Sequence, residues 1–222
     1  MSIRPSLPHG LADGLRNDST ERLARPYFRD ISKIKYAGGK SYLANPKIFK
    51  AGLSLFFPNF RGRTLASSSI EDTTPVLRGK ISIVSFTARG WSEAQVQSFL
   101  GARENPELQK VIQENKGKVQ LVQIMTENNT LMAWITRLFS YRLRRQIPRE
   151  DWNKCFFNRE RISSATRDRV GLLNSVVGYV YLVDEQCRIR WAASAEAEPW
   201  EKESLVKGVR QLLKPAELRR GD

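Results

Sequence analysis

Histidine is almost absent from this chain of 222 residues, which contains only His9. Ser-His-Asp triads, Cys-His pairs and histidine-ligated metal sites all need a histidine beside other catalytic or ligating groups. His9 lies in RPSLPHG, a stretch flanked by proline and glycine near the amino terminus. The sequence therefore argues against all three classes of site.

Cysteine is nearly as rare, with Cys155 and Cys187 far apart in the sequence. They form no Cys-x-x-Cys pair, so neither a zinc site nor a disulfide framework is expected. One disulfide between them stays open at this level, but two structural thiols in a reducing compartment are the simpler expectation. Arg188 and Arg190 would lower the pKa of Cys187 only if they faced it, and adjacent strand residues alternate faces.

Long apolar runs and acidic residues are also scarce. No stretch approaches the roughly 20 uninterrupted apolar residues of a membrane-spanning helix. Lysine and arginine number 37 against 23 aspartates and glutamates, a formal charge of +14. This balance favours acidic partners, namely nucleic acid, anionic lipid or an acidic protein surface, unless the chain merely shares the basic character of its compartment.

Composition divides the chain into four regions. We expect a mobile arm over 1–30, a basic aromatic arm and linker over 31–75, a folded domain over 76–214 and a tail over 215–222. The linker is the polar stretch SSSIEDTTP at 67–75. Residues 1–30 match neither a secretory signal, which needs an apolar core, nor a mitochondrial presequence, which avoids acids.

Residues 31–66 combine seven basic residues with six aromatic ones and contain no acid. Basic and aromatic side chains together suit single-stranded nucleic acid, and they equally suit an anionic membrane interface. A third interpretation is an extended arm whose aromatic side chains anchor it to the folded domain. Pro46 and Pro58 break any long helix here and favour an irregular, docked path.

From residue 76 onward, strand and helix patterns alternate. Strands over 80–86 and 118–125 enclose helical segments over 92–102 and 105–115, which predicts a right-handed βαβ unit with parallel strands. Residues 178–194 predict a β-hairpin, and the stretch from Pro199 predicts a final amphipathic helix. This order predicts an α/β, thioredoxin-like (peroxiredoxin-type) single domain.

The loop after the first strand lacks the cysteines of a redox enzyme of that fold. A thioredoxin-type enzyme places its nucleophilic cysteine at the helix start, where this chain has Trp91 and Ser92. We expect Ser92 to act as a helix cap, since no base is available to activate it. Such enzymes also usually place a cis-proline just before the hairpin, where this chain has Val176, Val177 and Gly178. We therefore predict no enzymatic activity, no catalytic residue and no cofactor, and consider Arg89 and Trp91 suited to contact or packing.

The helix predicted over 127–145 carries an apolar face that ends in arginines. At 100° per residue, Arg142 and Arg145 rotate back onto that face, so the helix must leave the core or reach an interface. Arginines at a helix end also complement its dipole, which is the purely structural alternative. We favour a surface that binds lipid headgroups or acidic protein. The predicted partner- or membrane-binding residues are Lys47, Lys50, Phe57, Phe60, Arg61, Arg63, Trp134, Arg137, Arg142, Arg144, Arg145 and Arg149.

Fingerprints of phosphate loops and dinucleotide sites are missing, because the glycines of YAGGKS and ARGW lack the required spacing. Carboxylates occur in helical surface patterns such as WEKE, without a paired acid and base. Neither a metal site nor a small-molecule substrate is expected.

Several longer blocks carry a resemblance to a known family. They are FRDISKIK, KSYLANPKIFKAGLSLFFPNFRGRTL, TTPVLRGKISIVSF, WITRLFSYRLRR, GLLNSVVGYVYLVDEQCRIRWA and AEPWEKESLVKGVRQLL, and they lie within residues 27–214. In their order and content, the chain resembles the mitochondrial ATP synthase assembly factors of the ATPase complex subunit 10 family.

The resemblance implies a thioredoxin-like chaperone that binds the newly made membrane subunit 6 (a) of the ATP synthase. It also implies a peripheral location on the matrix side of the mitochondrial inner membrane. The alternative function is a basic nucleic-acid-binding module that acts on mitochondrial RNA or ribosomes, with no DNA expected as a partner. That alternative rests on charge and aromatic content, since no RNA-binding signature is present.

Overall fold

The strand predicted first in the folded domain lies inside a seven-stranded sheet. The computed structural model describes residues 40–88, 90–126, 141, 143–174 and 176–215. The strands are β1 (Arg61–Thr64), β2 (Ile70–Asp72), β3 (Ile81–Thr87), β4 (Val119–Thr126), β5 (Cys155–Asn158), β6 (Tyr179–Val183) and β7 (Ile189–Ser194). Their order across the sheet is β2-β1-β5-β4-β3-β6-β7.

Helices connect and cover these strands. The α-helices whose bounds both lie within the described residues are α1 (Thr73–Leu77), α2 (Gly90–Leu100), α3 (Pro106–Glu114), α4 (Ser164–Val170) and α5 (Pro199–Leu213), and residues 143–146 are helical as well. Short 3₁₀ turns span Ala51–Leu53 and Arg149–Lys154. Local sequence sets several ends: the Asn105 side chain accepts the Leu108 N–H at the start of α3, and Gly171 ends α4 in the left-handed conformation.

The predicted βαβ unit is confirmed. Strand β3 pairs in parallel with β4, with Ile81 opposite Val119, and α2 and α3 form the crossover between them. Strands β6 and β7 form the predicted antiparallel hairpin, and α5 begins at Pro199 as expected. Strand β3 is buried on both faces, as a central strand rich in Ile and Val should be. The βαβ unit, the hairpin and the closing helix together make a thioredoxin-like α/β fold.

The sheet separates two apolar layers. On one face α2, α3 and α5 bury Phe99, Leu108 and Leu205 against the sheet. The other face is covered by α4 and by residues that precede β3, including Phe57 and Phe60. Both layers of the core are therefore built around the same four strands, β4, β3, β6 and β7.

The basic aromatic segment is docked along the outer edge of β7. The Phe49 N–H donates to the Arg190 carbonyl (2.7 Å), and the Phe57 N–H donates to the Cys187 carbonyl (2.7 Å). At its beginning, the Ser194 hydroxyl accepts the N–H groups of Ser41 and Tyr42 (3.0 Å each). The segment thereby satisfies an edge that would otherwise present unpaired backbone groups. For residues 40–57 this supports the interpretation in which the aromatic side chains anchor the segment.

Two predicted binding residues are corrected by this docking. Phe57 and Phe60 are each only 4% exposed and pack edge-on or tilted against Tyr181 and Phe86. Both rings are buried in the core, so a partner cannot reach them while the segment stays docked. They were predicted to bind a partner because basic residues flank them in the sequence, but their role is packing.

The prediction of a polar linker over 67–75 is wrong. Residues 70–72 form β2, which pairs antiparallel with β1 from Arg61↔Asp72 to Arg63↔Ile70. Thr73 and Leu77 are buried in α1, and the Thr73 hydroxyl accepts the Phe60 N–H (2.9 Å). Strands β1 and β2 thus extend the sheet beyond β5, and residues 70–77 belong to the fold instead of linking an arm to it.

The acidic pattern WEKE is also only partly a surface pattern. Glu201 is fully buried and accepts a 2.6 Å hydrogen bond from the Lys40 ammonium, together with the N–H groups of Ala44 and Glu198. Buried charges are retained where they are paired and hydrogen-bonded in this way. Glu201 thereby ties the start of the docked segment to the first turn of α5.

Candidate partner-binding surfaces

The junction between β3 and α2, where a redox pair would sit, is closed by packing. The prediction that Ser92 caps the helix is corrected: Ser92 lies within the first turn of α2, and its hydroxyl accepts the Ala88 N–H (2.9 Å), which ties the preceding loop to the helix. The Gly178 N–H donates to the Gln95 side-chain oxygen (2.8 Å). A Cβ atom on Gly178 would lie 2.5 Å from the Ser92 carbonyl oxygen and 2.9 Å from Val96. Residue 178 is therefore glycine because the backbone of α2 occupies the space of a side chain.

Both thiols are free and buried, in agreement with their predicted structural role. Burial raises the pKa of Cys155 to about 12, with a further contribution from Asp151. Burial also raises the pKa of Cys187, which Arg78 partly offsets. A raised pKa reduces the thiolate fraction near neutral pH, and the thiolate is the nucleophile. Neither position has the electropositive, accessible setting of a reactive cysteine.

The arginines beside Cys187 are engaged with Asp184. Arg188 Nε lies 3.0 Å and Arg190 Nη1 lies 3.2 Å from Asp184 Oδ2. The same carboxylate accepts the backbone N–H groups of Gln186 and Arg188, which fixes the hairpin turn. The two guanidinium groups thus stabilise a turn, in line with the expectation that they do not activate the thiol.

The predicted basic residues of the docked segment and of β1 do not form one cluster. Lys47 and Lys50 are exposed beside β7, whereas Arg61 and Arg63 are exposed on β1, across the sheet. Arg61 is paired with Asp72 (3.4 Å) and Glu160 (3.9 Å). Lys47, Lys50 and Arg63 form no ion pair within the described part of the chain.

The arginine cluster at the end of the predicted helix consists of Arg144, Arg145 and Arg149, and each guanidinium lies against an aromatic ring. Arg144 donates from Nε and Nη2 to the Leu65 carbonyl (3.2 and 2.9 Å), and its guanidinium lies 5.3 Å from the Trp152 ring centre. Arg149 lies 5.6 Å from the same ring. Arg145 lies 4.7 Å from the ring of exposed Tyr141 and donates to its hydroxyl. Such cation–π contacts fix each guanidinium while leaving its charge unneutralised.

Trp152 is a residue that sequence reasoning missed. It holds two arginines and donates from Nε1 to the Ile147 carbonyl (3.0 Å), which orders the turn before β5. The spacing of arginines and tryptophan in RRQIPREDW was the available signal. Trp134, Arg137, Arg142 and the apolar face of the predicted helix 127–145 lie outside the described residues, as does Arg89.

Two groups of exposed apolar side chains were also missed, apart from Trp91, which the sequence had already suggested for contact or packing. Leu53 and Phe56, 72% and 66% exposed, project beside β7 near Lys50. Trp91 is 68% exposed at the start of α2, and exposed Leu173 and Val176 lie in the loop that precedes β6. Gly178 packs against Ser92 and Val96 of α2, so Trp91 and Val176 lie within two residues of the closed junction along the chain. Hydrophobic periodicity could not find either group because both lie in loops or at helix ends.

Within the described ranges, no cluster of histidine, cysteine and acidic side chains could hold a metal ion. Across the same residues, every helix is too short or too polar to cross a membrane.

Comparison with known proteins fits the resemblance seen in the sequence. The model of the ATP10 protein family matches residues 16–212. The chain belongs to the ATP10 protein family. Three fungal relatives are each named as a mitochondrial ATPase complex subunit ATP10, the third as a probable one.

The relative from Eremothecium gossypii is 30% identical across 82% of this chain and 65% of its own length. Those from Saccharomyces cerevisiae and Schizosaccharomyces pombe are 27% and 22% identical across 82% and 86% of this chain. They are covered over 68% and 67% of their own lengths. The chain thus spans about two thirds of each relative.

Solved structures of thiol-disulfide proteins are also similar. A DsbF homologue from Corynebacterium diphtheriae is 16% identical, with a TM-score of 0.49 and coverage of 81% of this chain and 98% of its own. A secreted thiol-disulfide isomerase from Corynebacterium glutamicum is 9% identical, with a TM-score of 0.49 and coverage of 81% and 96%. At such scores and identities, neither likeness bears on what the ATP10-family chain does.

Proposed function

We propose that this protein is a non-enzymatic assembly factor of the mitochondrial ATP synthase. It binds the newly made membrane subunit 6 (a) and aids its incorporation into the proton channel, from a peripheral position on the matrix side of the inner membrane. The observation that carries the proposal is the match of the ATP10 family over residues 16–212.

The geometry of the closed junction between β3 and α2 supports a binding role over a catalytic one. Ser92 and Gly178 fill the space between β3, α2 and β6, and both thiols are buried with raised pKa values. What the junction presents to solvent instead is the side chains of Trp91, Leu173 and Val176. Exposed apolar side chains of this kind suit transient contact with an apolar client.

The nucleic-acid alternative loses its stacking surface in this structure. Of the aromatic side chains interleaved with bases, Tyr42, Phe49, Phe57 and Phe60 are buried, which leaves Phe56 exposed among the described ones. Binding of single strands without sequence preference needs several aromatic faces along a basic groove. The fold has turned most of that pattern inward.

Crosslinking during translation in isolated organelles tests the proposal. A photoreactive residue in place of Trp91 should capture one labelled translation product, with the mass and antibody reactivity of subunit 6. The same residue in place of Lys207, which is exposed on α5, is the matched control and should capture none. Capture of several unrelated products, or equal capture from both positions, would contradict the proposal.

A charge reversal tests the arginine cluster. Arg145→Glu and Arg149→Glu together should reduce subunit 6 crosslinking or membrane association, because both side chains are exposed and form no ion pair among the residues that the structure describes. Lys207→Glu is the matched control, because it reverses an exposed positive charge on α5, outside the arginine cluster, whose ion-pair partner Glu203 is also exposed. Unchanged crosslinking and unchanged membrane association would remove the cluster from the proposed function.

Tight binding to an RNA homopolymer that weakens steeply with salt would favour the nucleic-acid alternative.

A further inference from the structure

A short loop leaves the docked segment and returns to it almost at the same place on β7. Phe49 bonds to Arg190 and Leu55 bonds to Ile189 (2.7 Å each), so neighbouring residues of β7 are matched by residues six apart. Residues 50–54 are therefore looped out of the edge pairing. We refer to residues 50–56, which include this loop and the exposed Phe56, as the finger.

The finger is ordered by its own hydrogen bonds. The Lys50 carbonyl accepts the Leu53 N–H (3.0 Å) and the Ser54 hydroxyl (2.9 Å), which closes the 3₁₀ turn. Phe56 is fixed beside the hairpin through its bridge to Arg188. The loop is thus held in shape from both ends.

The finger contributes no packing at its tip. None of the residues of its 3₁₀ turn is buried, and a Cβ atom on Gly52 would meet nothing within 4 Å. Yet Leu53 and Phe56 expose 72% and 66% of their surfaces. Single exposed apolar residues are normal on proteins, but here two large ones stand three apart on a braced projection. This arrangement is suited to shallow insertion into an apolar medium.

The surroundings of the finger are basic. The starts of β3 and β4 and the β6–β7 turn lie at the same end of the sheet, and the Gly79 N–H donates to the Glu185 carbonyl (2.9 Å). The exposed or half-buried bases at this end are Lys50, Arg78, Lys80, Lys116 and Lys118. None of the five forms an ion pair within the described residues. Its acids are Asp184, which is buried and doubly paired, half-buried Glu185 and exposed Glu114.

We propose that the finger and this basic end form the contact with an anionic lipid bilayer. Leu53 and Phe56 enter the region between headgroups and acyl chains, while the bases lie at headgroup level. The bases spread over the ends of four strands and the docked segment, about 20 Å at the usual strand spacing. A broad, roughly even charge suits a flat anionic surface better than one acidic peptide.

The two components act together because each alone is weak. A single base contributes only weakly to attachment at an anionic membrane, and stable peripheral attachment takes a second, apolar signal. The inference rests on the peripheral membrane position proposed above and assigns it a surface. It also sets an orientation, since Trp91 lies at the opposite end of β3, roughly 20 Å away along the strand.

Co-flotation of the full chain with vesicles tests the inference. The vesicles contain phosphatidylcholine alone or mixed with phosphatidylglycerol, and free and bound protein are quantified. Leu53→Ser with Phe56→Ser should lower partitioning onto the anionic vesicles at least roughly tenfold. Lys50→Glu with Lys118→Glu should lower it on anionic vesicles and leave the neutral ones unchanged. Trp91→Ser, an equally exposed aromatic at the other end of β3, is the matched control and should retain full binding.

The outcomes separate the inference from the proposed function. Thermal unfolding of each variant should match that of the parent, because neither finger side chain is packed. Unchanged partitioning of the Leu53/Phe56 variant, or an equal loss in Trp91→Ser, overturns the inference. If the parent binds vesicles through the finger but never crosslinks to subunit 6, the proposed function fails and the inference stands. If subunit 6 is captured while vesicle binding ignores the finger, only the inference fails.

Discussion

The two ends of strand β3 present opposite surfaces although they belong to the same sheet. At the carboxyl end, Ser92 and Gly178 are pressed together, and nearby Lys40 and Glu201 form a buried ion pair. At the amino end, the finger projects Leu53 and Phe56 into solvent among bases that form no ion pair within the described ranges. The carboxyl end is where an enzyme of this fold would keep its chemistry, whereas the amino end has no such expectation.

The two ends differ in what their polar and charged groups contact. At the carboxyl end, Ser92, Gln95, Lys40 and Glu201 form hydrogen bonds or ion pairs within the fold, so they are not available for chemistry. At the amino end, the bases Lys50, Arg78, Lys80, Lys116 and Lys118 form no ion pair within the described residues, and two apolar side chains that the core does not need lie beside them. The contrast predicts that substitutions of buried groups at the carboxyl end lower stability, whereas substitutions of Leu53 and Phe56 in the finger lower membrane binding.

The largest effect is expected from Glu201→Ala. It leaves the Lys40 ammonium buried without its partner, which should lower the free energy of unfolding by about 3–5 kcal/mol. Urea unfolding measures the change. Glu203→Ala, which removes an exposed i,i+4 partner of Lys207 on the same helix, should change it by no more than about 0.5 kcal/mol. Equal effects of the two substitutions would mean that the carboxyl end is not held by the buried pair.

A smaller loss is expected from Gly178→Ala. Its Cβ atom would meet backbone of α2 at 2.5 Å, and relieving such overpacking costs about 1–3 kcal/mol. Gly52→Ala in the finger is the matched substitution, and its Cβ atom would meet nothing. It should be neutral or slightly stabilising, by less than about 1 kcal/mol. If Gly178→Ala unfolds at the same urea concentration as Gly52→Ala, the junction is not closed as described.

The smallest effect is expected from tyrosines buried behind the carboxyl end of β3. They should leave the free energy of unfolding unchanged near neutral pH and lower it at alkaline pH. Burial raises the pKa values of Tyr42 and Tyr181 well above the ordinary value of 10.0. Above pH 10 the unfolded chain loses tyrosine protons that the folded chain retains, so the free energy of unfolding falls as pH rises. Below pH 10 this contribution is fully present.

Urea unfolding at pH values from about 8 to about 11 checks this alkaline dependence. Tyr181→Phe should flatten the decline, even though it loses the hydrogen bond to the Val170 carbonyl. Vesicle binding through the finger should show no tyrosine contribution, because no tyrosine lies in residues 50–56. An identical pH slope for Tyr181→Phe and the parent would contradict the role of burial.

The elements that sequence reasoning predicted are those whose signals are local. Strands β3 and β4 are dense in β-branched residues, and Pro106 and Pro199 begin helices by fixing the first turn. Strand β2 was missed because its three residues, Ile70–Asp72, are stabilised by pairing with β1 and carry no periodicity of their own. Glu201 was taken for a surface residue because its partner, Lys40, lies 161 positions away.

The site was less predictable than the fold. Lys47 and Lys50 were expected at the surface and lie there, whereas Phe57 and Phe60 were expected there and are buried. Side chains in one basic and aromatic stretch thus have opposite fates, depending on which side of the docked segment faces the sheet. The sequence of an irregular segment has no period that could reveal its facing side.

By itself, the sequence determined the thioredoxin-like order of strands and helices, the lack of a redox pair and the family. These follow from short-range hydrophobic patterns and from the residue types present. Only the tertiary structure decided that the junction is closed, that the basic segment covers β7, and that the finger stands free. Each depends on contacts between residues distant in the chain, whose energies are set by burial and geometry in the folded state.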